Sequence, residues 1–383
     1  MARRCVVFDG LAVITGGQVT RAKAFLQRFR KYDPLSRSVV LCSQGNWVPT
    51  EERLGLEVID VSLPRGSFRA LGRMLWQNLR LPGLLKRLDA NVYLSFSHYL
   101  PVTMPSRVMT IMGVANFAPF SELAEQAEVT SKGKLRLATL KRTILSSAKR
   151  ARRVIALSGA LQRELVRLGV NEEKIVVIPN GVEVPVQLDT ALDGGGEINQ
   201  FGVSGEFLLY VSHFYRYKNF ERLIRAYTGL SHELRDQFAL VLIGEPHDVE
   251  YYSEVEALID LVGMRGRVVI VPGLPSRDLV VFYRSASLFV FPSLAENSPN
   301  ILLEAMAFGV PVLASQIEPM PEFGQEAVRY VDPLDVESMT KEITVLLADP
   351  EARESLSQRA RVQARRFTWD DFTAKVVGLY DRA

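Results

Sequence analysis

Short apolar runs recur along the whole chain, and segments with helical periodicity separate them. The runs are rich in Val, Ile and Leu, and they cover residues 5–8, 38–42, 92–96, 108–112, 154–158, 174–179, 207–211, 239–244, 268–273, 287–293 and 311–315. Strands that are apolar on both faces and alternate with helices are typical of parallel sheets covered by helices on each side. The pattern therefore predicts an α/β fold with doubly wound sheets.

The number of runs and the length of 383 residues indicate two such domains. Residues 184–206 contain three consecutive glycines and few large apolar side chains, which is typical of a linker. We expect an N-terminal Rossmann-like domain over residues 1–183 and a second one over residues 207–366. In open parallel sheets, ligands bind beyond the carboxyl ends of the strands, so the motifs at those positions are the candidates for function.

The sequence favours a cytoplasmic protein. No apolar run approaches the roughly 18 residues that a membrane span needs. Asp9 interrupts the apolar amino-terminal segment where a signal peptide would need its hydrophobic stretch. The two cysteines, Cys5 and Cys42, each lie beside an apolar β-branched run, which favours buried reduced thiols over a disulfide.

Charge is distributed unevenly between the two halves of the chain. The net charge is +3, with +14 over residues 1–183 and −11 over the remainder. Residues 131–153 hold nine basic residues and no acid, and a helical wheel places Leu137, Leu140, Ile144 and Ala148 on one apolar stripe with every base outside it. Such a helix packs on its own domain with a solvated basic face, or it also contacts anionic lipid head groups at a membrane surface. Nucleic acid is disfavoured as a partner because aromatic residues do not interleave the bases and no recognition motif accompanies them.

A glycine pair, Gly16 and Gly17, precedes the first helical segment. Glycines at a helix start let the backbone approach a phosphate or a sugar, and the unpaired amides there favour an anion. A plain tight turn explains the pair equally well. The pattern is not GxGxxG, which argues against a dinucleotide-binding fingerprint.

Two bases, Arg216 and Lys218, follow the strand predicted at residues 207–211. Arginine offers a planar fork and lysine a point charge, so the pair can neutralise a diphosphate. The alternative is two solvated surface bases.

The stretch from residue 294 to residue 315 places Glu296 and Glu304 eight positions apart. We expect Pro299 to be the first residue of a helix that Ser298 caps and Gly309 ends. Glu296 then lies in the loop before the helix, and the unpaired amides of Asn300 and Ile301 can bind a phosphate or a sugar hydroxyl. Paired carboxylates also serve as acid and base in hydrolases, although that role requires the two groups to face each other.

These residues resemble a known family. Glu296 and Glu304, the sequence AMAFGVPVLAS after them, and the Pro321–Glu322 pair look like the signature of retaining, nucleotide-sugar-dependent glycosyltransferases of family 4, which have the GT-B fold. Residues 154–184 resemble the segment that closes the first domain of that family, and residues 215–227 its diphosphate-binding element. Residues 367–383 resemble its terminal helix, which crosses back to the first domain.

The resemblance implies two Rossmann-like domains that face each other across a cleft, and a role for each matching residue. Arg216 and Lys218 would contact the donor diphosphate, and Glu304 would hold the ribose. Glu296, together with Asn297, Ser298 and Asn300, would bind the transferred sugar, and Gly16 and Gly17 would approach the donor from the first domain. Glu296, Arg216 and Lys218 are thus the catalytic set, acting in front-face transfer with charge stabilisation of the leaving nucleotide.

The chain departs from the family at one position on the acceptor side. Many members carry a histidine after the strand that corresponds to residues 108–112, and this chain has Asn116 there. As a neutral amide, Asn116 can position a ligand but cannot act as a base. His98, at the end of another predicted strand, is the remaining candidate base, and a structural role for it is the alternative.

We therefore expect a retaining hexosyltransferase that takes a nucleotide diphosphate sugar, with a mannose-type donor slightly favoured. Its acceptor would be a growing, lipid-linked or saccharide glycan such as O-antigen, and the enzyme would lie at the inner face of the membrane. Neither a cofactor nor a metal ion is expected, because no acidic or histidine cluster has metal-ligand spacing. The alternatives are an inactive sugar-nucleotide-binding subunit that supports a partner enzyme, and an epimerase or phosphorylase of the same architecture.

Overall fold

The computed structural model describes residues 4–13, 17–43, 54–64, 66–183 and 198–381. Its contacts divide into two compact units. The first unit comprises the chain up to Phe120, Leu135–Gly181 and the residues from Thr368 onwards, and the second unit comprises Ser121–Lys134 and Val182–Phe367. The segment 121–134 thus packs with the second unit, whereas the sequence pattern assigned it to the first. Ser121 is one reason, since its hydroxyl donates to the carbonyl oxygen of Leu294 at 3.3 Å.

The first unit is a parallel sheet of seven strands. The strands are β1 (Cys5–Asp9), β2 (Arg37–Cys42), β3 (Glu57–Asp60), β4 (Val92–Ser95), β5 (Met109–Val114), β6 (Arg153–Ala156) and β7 (Ile175–Val177). Their order in the sheet is β3-β2-β1-β4-β5-β6-β7, and every pair is parallel. The helices of this unit are α1 (Gly17–Tyr32), α2 (Arg69–Leu79), α3 (Leu81–Arg87), most of α5 (Ser131–Arg150), α6 (Gly159–Arg167) and α15 (Trp369–Asp381), and α4 (Glu122–Ala127) belongs to the second unit.

Alternation along each strand divides the core of the first unit between the two faces of the sheet. Val7 and Tyr93 belong to one apolar cluster, while Val6, Phe8 and Leu94 belong to the other. Both faces are covered, which is why these strands read as continuous apolar runs. Cys5 and Cys42 are buried thiols in this core.

The last helix, α15, completes the second of these clusters. Trp369 and Phe372 are buried in it, and the Phe372 ring lies 5.7 Å from that of Phe96. At the other end of the helix, the Tyr380 hydroxyl donates to Asp33 Oδ2 at 3.0 Å. Each large apolar side chain buried in this way contributes about 1.5–3 kcal/mol.

The second unit is a parallel sheet of six strands. The strands are β8 (Glu206–Val211), β9 (Phe238–Ile243), β10 (Val268–Val271), β11 (Leu288–Phe291), β12 (Val312–Ser315) and β13 (Arg329–Val331), in the order β10-β9-β8-β11-β12-β13. Its further helices are α7 (Phe220–Thr228), α8 (His232–Gln237), α9 (Val249–Leu261), α10 (Ser276–Ser285), α11 (Asn300–Phe308), α12 (Met320–Gly324), α13 (Val336–Ala348) and α14 (Pro350–Ala364). The α/β class with doubly wound sheets is confirmed. Ile198 and Val203, inside the predicted linker, belong to the core of this unit, and residues 184–197 lie outside the described part of the chain.

Sequence reasoning predicted eleven strands and missed β3 and β13. Both are edge strands of their sheets. Each is short and partly exposed, so neither produces an apolar run. The remaining strands lie close to their predicted positions.

The basic helix predicted from residues 131–153 is α5. Ile144 and Ala148 of its predicted apolar stripe are buried, Leu137 and Leu140 are partly buried, and most of its basic side chains are exposed. None of the helices in the described ranges is long and apolar enough to cross a membrane.

Candidate active site

The candidate site of the second unit lies where the strand order of its sheet reverses. Strands β8 and β11 are neighbours, and the chain leaves their carboxyl ends toward opposite sides of the sheet. This is the position at which doubly wound sheets bind ligands. Arg216 and Lys218 follow β8, and Glu296 follows β11.

A single 3-10 turn, Arg216–Lys218, presents the two bases. The residue after it, Asn219, has a left-handed backbone with φ of +64° and is 2% exposed. Its side-chain amide donates to the carbonyl oxygens of Pro292 (3.0 Å) and Pro333 (2.8 Å). An asparagine tolerates this backbone conformation and satisfies two buried carbonyl groups, so the sequence fixes the turn at this point.

The loop after β11 is bonded directly to that turn. The amide of Leu294 donates to the carbonyl oxygen of Tyr217 at 2.7 Å. Lys218 Nζ forms an ion pair with Glu296 Oε1, and the two side chains are only 14% and 13% exposed. The same carboxylate oxygen accepts a hydrogen bond from Ser293 Oγ at 2.8 Å. The structure therefore brings together two of the three residues in the predicted catalytic set.

Arg216, the third member, points to a different partner. Its guanidinium group forms two hydrogen bonds with Glu254 on α9, at 2.6 and 2.7 Å, and its Cζ lies 5.2 Å from the centre of the Tyr251 ring. The hydrogen bonds to Glu254 raise the pKa of Arg216 above its ordinary value, so the group stays charged. The Arg216 side chain is 11% exposed, and this bidentate contact holds it in one orientation.

Helix α11 begins one residue later than predicted. Its first residue is Asn300, so Pro299 rather than Ser298 occupies the N-cap position. The Asn300 amide donates to the carbonyl oxygen of Ser298 at 2.9 Å and is therefore not the unpaired donor that we expected. The hydrogen bond between Asn300 and Ser298 closes a tight turn around Pro299. The proline therefore lies at the N-cap, and the first helical position passes to Asn300. Asn297 is buried at 6% exposure, and Ser298 is half-buried.

Glu304 lies on the second turn of α11, as predicted. It keeps part of its surface exposed, yet protein surrounds the carboxyl group so closely that burial raises its pKa to about 7. The Tyr283 hydroxyl donates to Glu304 Oε2 at 3.1 Å, which acts in the opposite direction and lowers the pKa. Gly309 then ends the helix with φ of +74°, as expected of a C-terminal glycine.

The remaining candidates are in the first unit. Gly17 is the first residue of α1, and Gly16 lies outside the described residues. Asn116 follows β5, and its Oδ1 accepts from the amide of Ala118 at 3.0 Å, so this side chain orders its own loop. His98 follows β4 with φ of +52°; burial and the nearby Arg73 and Arg21 lower its pKa to about 4. At neutral pH the His98 imidazole is uncharged and a weak base.

Two family models match the chain. The model "Glycosyl transferases group 1" matches residues 197–363, and the model "Glycosyltransferase Family 4" matches residues 15–184. The chain belongs to glycosyltransferase family 4. The family resemblance read from the sequence is therefore confirmed.

Curated relatives of this glycosyltransferase match over part of their length. The O-antigen chain mannosyltransferase B of Escherichia coli is 33% identical over 178 residues, which are 45% of each chain. The D-inositol 3-phosphate glycosyltransferase of Xylanimonas cellulosilytica is 31% identical over 246 residues, which are 60% of this chain and 58% of the relative. The chain thus spans about half of the length of the curated relatives it matches.

Solved structures match over the whole glycosyltransferase. Anabaena HepE in complex with UDP and glucose superposes with a TM-score of 0.76 at 17% identity, covering 100% of both chains. WaaG, a glycosyltransferase involved in lipopolysaccharide biosynthesis, superposes with a TM-score of 0.76 at 17% identity, covering 98% of this chain and 99% of WaaG. These likenesses show the fold, and the predicted GT-B fold is confirmed.

Sequence reasoning missed three side chains that contact the candidate residues of the second unit. Glu254 and Tyr251 contact Arg216 from a helix more than thirty residues away, and Tyr283 contacts Glu304 from α10. No local spacing links such residues, because only the folded sheet brings the helices together. Within the described residues, no group of three or more His, Cys, Asp or Glu side chains could hold a metal ion.

Proposed function

We propose that this glycosyltransferase moves a hexosyl group from a nucleotide diphosphate sugar to a growing glycan, with retention of configuration and without a metal ion. A mannose-type donor is favoured, since the E. coli relative is named as a mannosyltransferase of O-antigen chains. The observation that carries the proposal is the position of Arg216, Lys218 and Glu296 at the carboxyl ends of β8 and β11, with Lys218 paired to Glu296 and Arg216 oriented by Glu254.

Arg216 and Lys218 stabilise the leaving nucleotide. In hexosyl transfer from such a donor, negative charge develops on the diphosphate as the sugar departs. Arg216 is held by Glu254 and Lys218 by Glu296, so both cations are already oriented before a donor binds. Preoriented charges stabilise a transition state without reorganisation, and two of them can take the place of a metal ion.

Glu296 and Glu304 divide the sugar contacts between them. Glu296 accepts from Ser293 and Lys218 through Oε1, which leaves Oε2 to accept from hydroxyl groups of the hexose. Glu304, one helical turn into α11, accepts hydroxyls of the ribose. Transfer then occurs on one face of the sugar, with a donor phosphate oxygen taking the acceptor proton, because His98 is a weak base.

The acceptor is a lipid-linked glycan, and the enzyme binds peripherally to the inner face of the membrane. The exposed basic side chains of α5 supply electrostatic attraction to anionic lipids. Helix α2 adds a stripe of exposed apolar side chains, which are Phe68 just before it and Leu71, Leu75 and Leu79 along it. Exposed apolar residues at helical spacing, flanked by bases, are typical of an interfacial helix.

The test is a thermal-shift panel with GDP, UDP, dTDP and ADP, each with and without EDTA. A nucleotide at 100 times its dissociation constant stabilises the protein by about 2.7 kcal/mol, which is a shift of several degrees. Stabilisation by one nucleotide, unchanged by EDTA and lost in Arg216→Ala, supports the proposal. If no nucleotide stabilises the protein, the donor site does not function. Donor binding without turnover would instead favour the sugar-nucleotide-binding subunit.

A further inference from the structure

The first unit has its own reversal of strand order, between β1 and β4. Asp9 ends β1, and Phe96, Ser97 and His98 follow β4. By the rule that locates the donor cluster of the second unit, a ligand of the first unit binds at this edge. Two arginine side chains and one histidine side chain approach this edge.

Helix α2 directs one row of polar side chains toward this edge. Arg69, Arg73 and Gln77 are four residues apart and therefore share a helix face. Gln77 is completely buried, and its Nε2 donates to Asp9 Oδ2 at 2.8 Å. This contact directs the Arg69–Arg73–Gln77 face of the helix toward the carboxyl end of β1. Arg73, one turn before Gln77, has a buried Nε without a hydrogen-bond partner.

Arg21 reaches the same edge from α1. It is 2% exposed, and its guanidinium makes one long hydrogen bond, from Nη2 to the carbonyl oxygen of Phe96 at 3.4 Å. Its Cζ lies 5.0 Å from the centre of the Phe96 ring, and its Nε has no hydrogen-bond partner. Burying a guanidinium without a counter-ion is costly, and the burial lowers the pKa of Arg21 to about 10.

The carboxylate at this edge does not neutralise the arginines. Asp9 is completely buried and accepts from neutral donors only. They are the Leu11 amide at 3.0 Å, the Tyr93 hydroxyl at 2.7 Å, Gln77, Ser95 Oγ at 3.1 Å and Ser97 Oγ at 3.5 Å. Over the described ranges, neither Arg21 nor Arg73 forms an ion pair with an acidic side chain.

His98 is the third nitrogen-bearing side chain of this cluster. Its Nδ1 is buried and has no hydrogen-bond partner. The positive charges of Arg73 and Arg21 both contribute to lowering its pKa, so both guanidinium groups lie within electrostatic range of the imidazole. In the Nδ1–H tautomer, this imidazole is a further donor that lacks an acceptor.

We propose that Arg21, Arg73 and His98 form a binding site in the first unit for the diphosphate of the lipid-linked acceptor. Two guanidinium groups match the charge of a phosphoryl group, and the neutral imidazole adds a donor for one of its several oxygens. This combination suits a phosphoryl group better than a neutral sugar. The opposite face of α2 carries the exposed Leu71, Leu75 and Leu79. The helix that contacts the membrane surface would therefore also present Arg73 to a phosphate that lies at that surface.

This inference rests on the proposed function, and its test separates the two. The probes are inorganic pyrophosphate and geranyl diphosphate, a short and soluble lipid diphosphate, measured by calorimetry and thermal shift. Because pyrophosphate can also bind between Arg216 and Lys218, each titration is done in wild type and in an Arg216→Ala/Lys218→Ala variant. Arg73→Gln is the test variant, Arg80→Gln is the matched control at the exposed end of the same helix, and Arg21→Lys is the conservative second variant.

We expect geranyl diphosphate to bind the Arg216→Ala/Lys218→Ala variant more tightly than inorganic pyrophosphate does. Adding Arg73→Gln should weaken that binding about 10- to 100-fold, as for loss of a hydrogen bond to a charged group, and Arg80→Gln should not. In turnover, Arg73→Gln and Arg21→Lys should raise the acceptor KM and leave the donor KM unchanged.

Three results would overturn the site. The first is no diphosphate binding once Arg216 and Lys218 are removed, and the second is equal binding by Arg73→Gln and Arg80→Gln. The third, binding of inorganic pyrophosphate as tight as that of geranyl diphosphate, would show a site for a free anion rather than for the acceptor. Nucleotide stabilisation of Arg73→Gln reports separately on the donor site, so a failure of the proposed function is recognised independently.

Discussion

Lys218 and Glu296 form an ion pair that joins the turn after β8 to the loop after β11, and both side chains are almost entirely shielded from solvent. The pair is 78 residues apart in sequence. Ser293 donates to the same carboxylate oxygen as Lys218, so one oxygen of Glu296 is occupied by the protein. Because Ser293 and Lys218 both contact Oε1, the Glu296 carboxylate is held in one orientation.

Glu296→Gln should abolish most of the transfer activity without unfolding the protein. The amide oxygen can still accept from Ser293 and Lys218, but the charge that accepts hydroxyls of the sugar is lost. We expect kcat to fall about 10- to 100-fold, with nucleotide binding by thermal shift retained. Glu326→Gln, at an exposed position of the same unit, is the control. Unchanged turnover by Glu296→Gln would remove this residue from the catalytic set.

Glu254→Gln should weaken donor binding only modestly. Glu254 orients Arg216 but is itself 46% exposed, so solvent screens the interaction. We expect the donor KM to rise about two- to fivefold, corresponding to less than about 1 kcal/mol, whereas Arg216→Gln should raise it far more. A lower donor KM in Glu254→Gln would show that Glu254 competes with the diphosphate for Arg216.

Glu304 should make the stability of the ligand-free protein depend on pH. Its pKa in the folded state is about 7, against an ordinary value of 4.5. Between these values the folded state retains a proton that the unfolded state has released, so the free energy of unfolding falls as pH rises from about 4.5 to about 7. The loss is up to about 3 kcal/mol. Urea unfolding of wild type and Glu304→Gln at pH 5 and pH 8 should show a smaller difference in the variant.

Ionisation of Glu304 should strengthen donor binding, although it lowers the stability of the ligand-free protein. An ionised carboxylate accepts two ribose hydroxyls, and a protonated one accepts fewer. The donor KM of wild type should therefore decrease between pH 6 and pH 8. A donor KM that follows the same pH profile in Glu304→Gln would contradict this role.

Gly309→Ala should destabilise the second unit. Gly309 has φ of +74°, which an alanine adopts only with strain, and an added Cβ would lie 2.0 Å from Arg361 Nε. We expect a loss of about 1–3 kcal/mol in the free energy of unfolding. Gly83→Ala is the matched control. Gly83 lies inside helix α3, and a Cβ added there meets no atom within 4 Å. This control should be neutral or stabilising by up to about 1 kcal/mol.

Replacing the apolar stripe of α2 should reduce membrane binding. We expect a Leu71→Ser/Leu75→Ser/Leu79→Ser variant to float less with anionic vesicles than wild type does, since burial of each leucine contributes about 1.5–3 kcal/mol. Leu261→Ser, at an 81% exposed position of the second unit, is the control. High salt should release wild type if the bases of α5 dominate. Equal flotation of all variants at every salt concentration would exclude this surface.

The sequence predicted the parts of the fold that depend on local patterns. Buried central strands such as β8 and β11 read as apolar runs, and Gly309 marked the end of α11. The edge strands β3 and β13 were missed because their partly exposed side chains leave no apolar run. The start of α11 shifted because a proline can occupy either the N-cap or the first helical position. For the candidate site, the family motif predicted Arg216, Lys218, Glu296 and Glu304, and their roles stay predictions. Arg73 and Arg21, by contrast, lie on helix faces whose direction only packing decides.

The docking of α15 into the core of the first unit has a consequence for the order of folding during synthesis. The second unit is contained within residues 121–367, so all of its strands are available before Trp369 is made. The first unit lacks Trp369 and Phe372 until then, which leaves one face of its sheet incomplete. We therefore expect the unit that is translated first to finish folding last. While the ribosome makes the second unit, the uncovered face around Phe25 and Phe96 would be accessible to chaperones and prone to aggregation.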